Sequence, residues 1–196
     1  MLIDEAECDA CKLLLPASHP KHNPPKWGEG IILLNGQGTG WALNHYGSSE
    51  GYLGWIALTT VEHREQISDL SPVELMELGP HIQHVDQYLR DYWDARFHGD
   101  PVEQVYVNCL MEGLHDQQHG KPTPSPWHLH FRLIPRFRSL DPLMREYQST
   151  WSSGINAWDV YKVGKRPDFP LDYRPNKDNT KDLMRYLAER FGRALV

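Results

Sequence analysis

Cysteine is scarce: residues 8, 11 and 109 are the only three in 196. That excludes a disulfide scaffold, which small secreted domains build from many more. Net positive charge is also missing. The formal net charge is -6, which argues against general nucleic-acid binding, since that needs a basic surface. No apolar run approaches the length of a membrane span, so no membrane partner is expected. The opening "MLIDEAECDACKLLL" is acidic at its start and lacks the basic region of a signal peptide. A cytoplasmic protein is the expectation. Internal repeats and low-complexity tracts are absent too. Chain length suits one domain with extensions, large enough to bury a real core.

What is present alternates. "SPWHLHFRLIPRF" (Ser125 to Phe137) places His128, His130 and Arg132 at every second position. Leu129, Phe131 and Leu133 fill the positions between. Successive strand side chains point to opposite faces, so the segment predicts a half-buried strand with one apolar and one chemically active face. Pro135 should end the pattern, because proline cannot donate to a ladder.

Earlier segments supply the rest of a sheet. "GIILLN" (30–35) and "WALNHY" (41–46) read as a hairpin across the turn "GQGTG". "YLGWIALTT" (52–60) reads as a third strand, "EQVYVNCLMEG" (103–113) as a fourth and "WHLHFRLIPRF" (127–137) as a fifth. Between the third and fourth, Ser71-Pro72-Val73-Glu74 is a capping box with proline at the first helical position. Leu75, Leu78, Ile82, Val85, Leu89 and Tyr92 follow at helical spacing. They predict one long amphipathic helix, with Pro80 as a kink or break. His81 and His84 on it read as surface or helix-packing residues. "DPLMREYQSTW" reads as a loop, and a last helix is expected near Thr180 to Leu195, capped by Asn179 or Thr180. The fold class is therefore α+β: a five-stranded antiparallel sheet, a long helix packed on it, and a C-terminal extension ending in a helix. Residues 1–140 are expected to form the main domain with an N-terminal metal-binding segment. Residues 141–196 are expected to pack on it as an extension.

Cys8-x-x-Cys11 has the spacing of two thiolate ligands for one tetrahedral zinc, with two more ligands to come from elsewhere. A redox pair would need a preceding strand, which is not seen. Two unpaired thiols are the plainer alternative. Cys109 falls inside a strand pattern and reads as a packed thiol.

Taken in order, these features resemble the histidine triad (HIT) superfamily over about Cys8 to Arg138. "HLHFRLIPR" is similar to the family signature of alternating histidines followed by Pro-Arg, with Arg132 in place of the third histidine. "GWIALTTVEH" (Gly54 to His63) resembles the family's strand that ends in a histidine, with Trp55 for the usual histidine after glycine and Thr60 for the usual proline. "VNCLMEG" resembles the strand that carries a phosphate-side asparagine, here Asn108. Ser125 stands where many members place a phosphate-contacting serine.

The resemblance implies several roles. Zinc-containing bacterial members suggest Cys8, Cys11, His63 and His128 as ligands of a structural zinc. His130 is implied as the nucleophile that attacks the α-phosphate of a nucleotide conjugate, either a dinucleoside polyphosphate or a nucleoside phosphoramidate. A nucleotidyl-histidine would form and water would resolve it, making the chain a hydrolase or transferase. A neutral imidazole on a rigid strand suits that chemistry near neutral pH. Arg132 would clamp phosphate as a fixed charge but cannot donate a proton. Asn108 and Ser125 would add neutral donors, and Asn44 would meet the sugar where the family often uses a carboxylate. The loop 111–124 looks long beside the phosphate site, and its His115, His119 and Lys121 read as solvated loop residues. A homodimer is implied by the family alone. Two other functions fit the same residues: a nucleotide-binding regulator that has lost turnover through Arg132, and a zinc-organised interaction module.

Overall fold

The computed structural model describes residues 8–15, 18, 20–25, 29–34, 40–46, 51–109, 128–146, 163–164 and 166–196. Its sheet consists of β1 (Ile32–Leu33), β2 (Trp41–His45), β3 (Ile56–Thr60), β4 (Val102–Asn108) and β5 (His130–Phe137). All neighbours are antiparallel, in the order β1-β2-β3-β5-β4. The α+β class and the five strands agree with the sequence reading. The helices are α1 (Asp9–Leu14), α2 (Pro72–Arg96), α3 (Asp141–Arg145) and α4 (Lys177–Phe191).

Register sorts side chains onto two faces, because directly paired residues point the same way. Leu43, Leu58 and Phe131 form one row across the sheet. With Ile56 and Leu133 they are buried in a single core cluster together with Val85, Leu89 and Trp93 of α2. Ala42 and Thr59 lead to His130 on the other face, and Asn44 and Ala57 lead to Arg132 and Asn108. That second face is floored by small residues, which leaves room above it.

α2 starts where the sequence places it. The Ser71 hydroxyl accepts from the Glu74 amide, and the Glu74 carboxylate accepts from the Ser71 amide at 2.7 Å. The helix runs through Pro80 without ending. Pro80 is exposed, so the carbonyl it leaves unpaired one turn back faces water, which can satisfy it. Leu75, expected on the apolar face, is exposed, while Leu78 and Ile82 are half-buried. The apolar stripe becomes a true core face only from Val85 onward.

Several boundaries differ from the sequence reading. β1 is only two residues long. The third strand starts at Ile56, because Tyr52–Trp55 is a turn in which Gly54 has φ +97°. β4 ends at Asn108, and residues 110–113 lie outside the described ones. β5 starts at His130: His128 and Leu129 precede the ladder, and the Leu129 amide donates to the Arg64 carbonyl at 2.7 Å. A short helix, α3, occupies the start of the segment read as a loop.

Pro135 does not end β5. It pairs with Val105 inside the strand. β3 has already finished beside Leu133, and the Pro135 carbonyl accepts from the Tyr52 hydroxyl at 2.6 Å. The N and C=O of one residue in an antiparallel strand face the same side. The missing N–H therefore points past the end of β3, and no ladder bond is lost.

α4 is capped by Asn176, three residues before the expected site. Its side-chain oxygen accepts from the amides of Asp178 and Asn179, and Asn179 reciprocates. Thr180 is a buried helical residue instead. Gly192, in the left-handed region, stops the helix at Phe191. Beyond it, Val196 exchanges two backbone hydrogen bonds with Ile31, so the last residues line the outer side of β1. Val163, Phe169, Tyr173, Leu183, Met184 and Leu187 join the same core cluster as the sheet. Among the described residues, no helix is long and apolar enough to cross a membrane.

Candidate functional site

Cys8 caps the first turn of α1 and Cys11 lies within that helix. His63 follows the end of β3, and His128 lies two residues before β5. These four side chains converge, with one ligand atom from each and all four atoms within 4.8 Å of one another. Cys11 Sγ lies 3.3 Å from His63 Nδ1 and 3.4 Å from His128 Nδ1, and Cys8 Sγ lies 3.5 Å from His128 Nδ1. A tetrahedral zinc with normal bond lengths sets its S and N ligands about 3.6 Å apart. Three donor pairs already stand near that spacing and all four atoms lie within 4.8 Å, so the residues fit a metal ion.

The surroundings support ligation. His128 Nε2–H donates to the Thr60 carbonyl at 2.8 Å, with the Thr60 hydroxyl at 3.0 Å. That bond fixes the proton on Nε2 and leaves Nδ1 free to coordinate. Glu65 is the nearest carboxylate to His63 Nε2, at 3.6 Å, beyond hydrogen-bond distance. The hydrogen bonds from Cys11, joined by one from His128, hold the Cys8 thiol well below the ordinary cysteine range against the opposing push of burial. Cys8 is thus set up as a thiolate, the form that binds metal.

His130 and Asn44 line one cleft of about 570 Å³, within the size range of small-molecule sites. Its floor is Ala57 and Thr59. Asp9, Ala10 and Leu13 of α1, with Asn23, Pro24 and Pro25, form one wall, and Tyr46 lies at another edge. The helix that carries Cys11 is therefore also a cleft wall.

His130 Nδ1–H donates to the His128 carbonyl at 2.9 Å. This places the proton on Nδ1 and the lone pair on Nε2. Burial is the main cause that keeps His130 below the ordinary imidazole range; the bond to the His128 carbonyl opposes it and the charge of Arg132 adds to it. A neutral ring is favoured. Arg132 Nε–H donates to His130 Nε2 at 3.1 Å, and its guanidinium carbon lies 4.4 Å from the centre of the Tyr46 ring. Asn108 pairs directly with Arg132 across β4 and β5.

The structure thus brings Cys8, Cys11, His63 and His128 together as one set, and His130, Arg132, Asn108 and Asn44 onto one sheet face. Asn44 turns its amide toward the His45 carbonyl at 3.1 Å. Ser125, His115, His119 and Lys121 lie outside the described residues. Cys109 is half-buried against the core, and burial raises its thiol above the usual range. Sequence reasoning missed Tyr46, Thr60, Glu65 and the cleft wall of α1. Tyr46, one residue beyond β2, carried no signal, because only the folded register brings it to Arg132. A scan for carboxylates within two residues of His63 would have found Glu65. No protein-family model matches the chain, and no curated protein matches it.

Proposed function

We propose that this chain is a nucleotidyl hydrolase or transferase of histidine triad type, with a structural zinc held by Cys8, Cys11, His63 and His128. The observation that carries the reading is the state of His130. Its Nδ1 donates to the His128 carbonyl and its Nε2 accepts from Arg132, at a cleft in the size range of small-molecule sites.

In this reading Nε2 attacks the α-phosphorus of a nucleotide conjugate. A P–N bond forms to His130 as the bond from phosphorus to the leaving group breaks. Water then attacks the nucleotidyl-histidine, and the nucleoside monophosphate leaves with the oxygen it gains. Arg132 and Asn108 stand side by side to hold the non-bridging oxygens as charge builds on them. Asn44 in the same cleft is placed for a sugar hydroxyl. Arg132 stays protonated and gives the leaving group no proton. Amine or alkoxide leaving groups must therefore take theirs from water or substrate. Zinc would supply rigidity: four protein ligands complete a tetrahedron with no open position, so every reacting group is a side chain.

One observation favours a second reading, a nucleotide-binding regulator without turnover. The lone pair that would attack is already engaged by Arg132. Intact-mass spectrometry after rapid mixing with adenosine 5′-phosphoramidate separates the two. An adenylyl adduct on His130, absent in His130→Ala, supports the enzyme. AMP binding with no adduct and no turnover selects the regulator. Neither binding nor turnover removes both, and leaves a metal-organised interaction module.

A further inference from the structure

We propose that Arg132 is a removable cap on His130: it keeps the imidazole unreactive until an anionic phosphoryl oxygen draws the guanidinium away, and so restricts the site to charged electrophiles. The proposal rests on His130 as the reactive imidazole, and it adds a selection step that this reading does not contain.

Three contacts carry it. The His128 carbonyl accepts from Nδ1–H, so Nε2 holds the one lone pair available for attack. Arg132 Nε–H occupies that lone pair at 3.1 Å. A guanidinium does not deprotonate near neutral pH, so the cap cannot be lifted by giving up its proton; it has to move. Its plane is also held, because the guanidinium lies 4.4 Å from the Tyr46 ring centre and gains from the face of that ring. At rest the ring nitrogen is a hydrogen-bond acceptor and a poor nucleophile.

The balance of hydrogen bonds decides what can lift the cap. The present acceptor is a neutral nitrogen. A phosphate group is anionic and takes two parallel N–H donors from arginine, where the imidazole nitrogen is neutral and takes one. An entering phosphoryl group therefore outcompetes His130 for the guanidinium and frees Nε2 beside the phosphorus it brings. A neutral acyl or alkyl electrophile offers no such acceptor and meets a capped ring. Asn108, paired with Arg132 on the next strand, stands ready to share the same oxygens. The side chain that binds the substrate's charge thus also reports its arrival to the nucleophile.

Two measurements test this on the full, metal-loaded chain at one fixed pH. The first is the trans-hydrogen-bond nitrogen–nitrogen coupling between Arg132 Nε and His130 Nε2 in ¹⁵N-labelled protein. It should be present in anion-free buffer and disappear as inorganic phosphate is added. Absence from the start, or persistence at every phosphate concentration, overturns the cap. The second is the rate at which diethyl pyrocarbonate, a neutral reagent, modifies His130, read by peptide mass mapping. Arg132→Met should speed modification at least roughly tenfold, the lower end of what one hydrogen bond with a charged partner contributes. Arg132→Lys should restore most of the protection, and Tyr46→Leu should fall between. Equal rates in the native chain and Arg132→Met overturn the proposal. If Arg132→Met fails to fold, the coupling in the native protein decides alone. A cap released by phosphate in a protein without nucleotide turnover would keep this inference and remove the nucleotidyl reading. Turnover through an uncapped His130 would do the reverse.

Discussion

His130 and Arg132 interact directly, so replacing one changes the state of the other. Arg132→His supplies a group that can give up a proton near neutral pH. The expected outcome is a selective gain for amine leaving groups over a fluorinated phenol, which needs no proton. The ratio of the two kcat/KM values in the native chain and the variant measures it, and an unmoved ratio counts against the role given to Arg132. A second prediction concerns packing. A Cβ at Gly54 would come within 2.7 Å of Pro135 Cγ and 2.9 Å of Trp93 Cη2, on a backbone at φ +97°. Gly54→Ala should cost about 2–4 kcal/mol, from overpacking and from the left-handed conformation together, read by urea denaturation. A cost under about 0.5 kcal/mol, the level of an ordinary surface change, would show that the turn adjusts. Cys8, Cys11, His128, His130 and Arg132 were legible in the Cys8–Cys11 spacing and in the alternation around His130, whereas His63, Asn44 and Asn108 came only through the family resemblance, and Tyr46, Thr60 and Glu65 were not seen at all. Nor was the hydrogen bond between Arg132 and His130. Alternation states which residues share a face, whereas the bond depends on the rotamer of a long side chain and on Tyr46, which approaches from another strand.

The contact between α2 and α4 has its own pH response. His81 and His84 of α2 both pack their rings against Phe191 of α4. Burial is the first cause that lowers His81 below the ordinary imidazole range. His84 and Arg193 add to it, and Glu77 opposes it. A folded-state value below the unfolded one means that the unfolded chain binds the proton more readily. This contribution is intact above the unfolded value of about 6.5 and is lost as pH falls through it toward the folded value. Urea midpoints should therefore drop between neutral and mildly acidic pH, and His81→Phe should flatten that drop. An identical slope in the variant would place the pH response elsewhere. The first cap of α2 is a simpler case: Ser71→Ala should cost about 1 kcal/mol. That capping box was readable because serine, proline and glutamate sit in the order the geometry needs. Asn176 was harder to see. It follows Pro175 in a polar run where Asn176, Asn179 and Thr180 are all competent caps, and the burial of Thr180 by tertiary contacts settles the choice. Pro135 misled for a related reason: proline ends a strand only where a neighbouring strand needs its N–H, and the length of β3 cannot be read from β5.

At the scale of the whole molecule, α1 stands out among the described α-helices for its lack of core support. None of its residues is buried, whereas Cys8, just before it, is almost fully so. The Cys and His side chains therefore tie the N-terminal segment, and with it one wall of the cleft, to the sheet. Purified protein should hold about one zinc per chain, and Cys8→Ser/Cys11→Ser should lose it. Full metal content in that variant would refute the ligand assignment. Chelation should lower Tm and speed amide exchange in residues 9–15, because free energy of binding at such a site contributes to folding. Unchanged exchange there would mean that the segment is held by something other than the metal centre. The sheet and its long helix could be derived from periodicity. The cleft could not, because its walls come from segments far apart in the chain and only the folded arrangement brings them together.

His128 gives the metal centre its imidazole and gives His130 its backbone carbonyl. Genetically, position 128 is therefore one locus with two phenotypes. In the proposed reading, a substitution at 63 should disturb the Cys/His cluster and one at 130 should disturb the nucleophile. A substitution at 128 mimics both, because any shift of its peptide carries the carbonyl with it. In a mutational scan the defects at 63 and 130 should compound when combined. Either one added to a change at 128 should deepen the defect by less than it does alone.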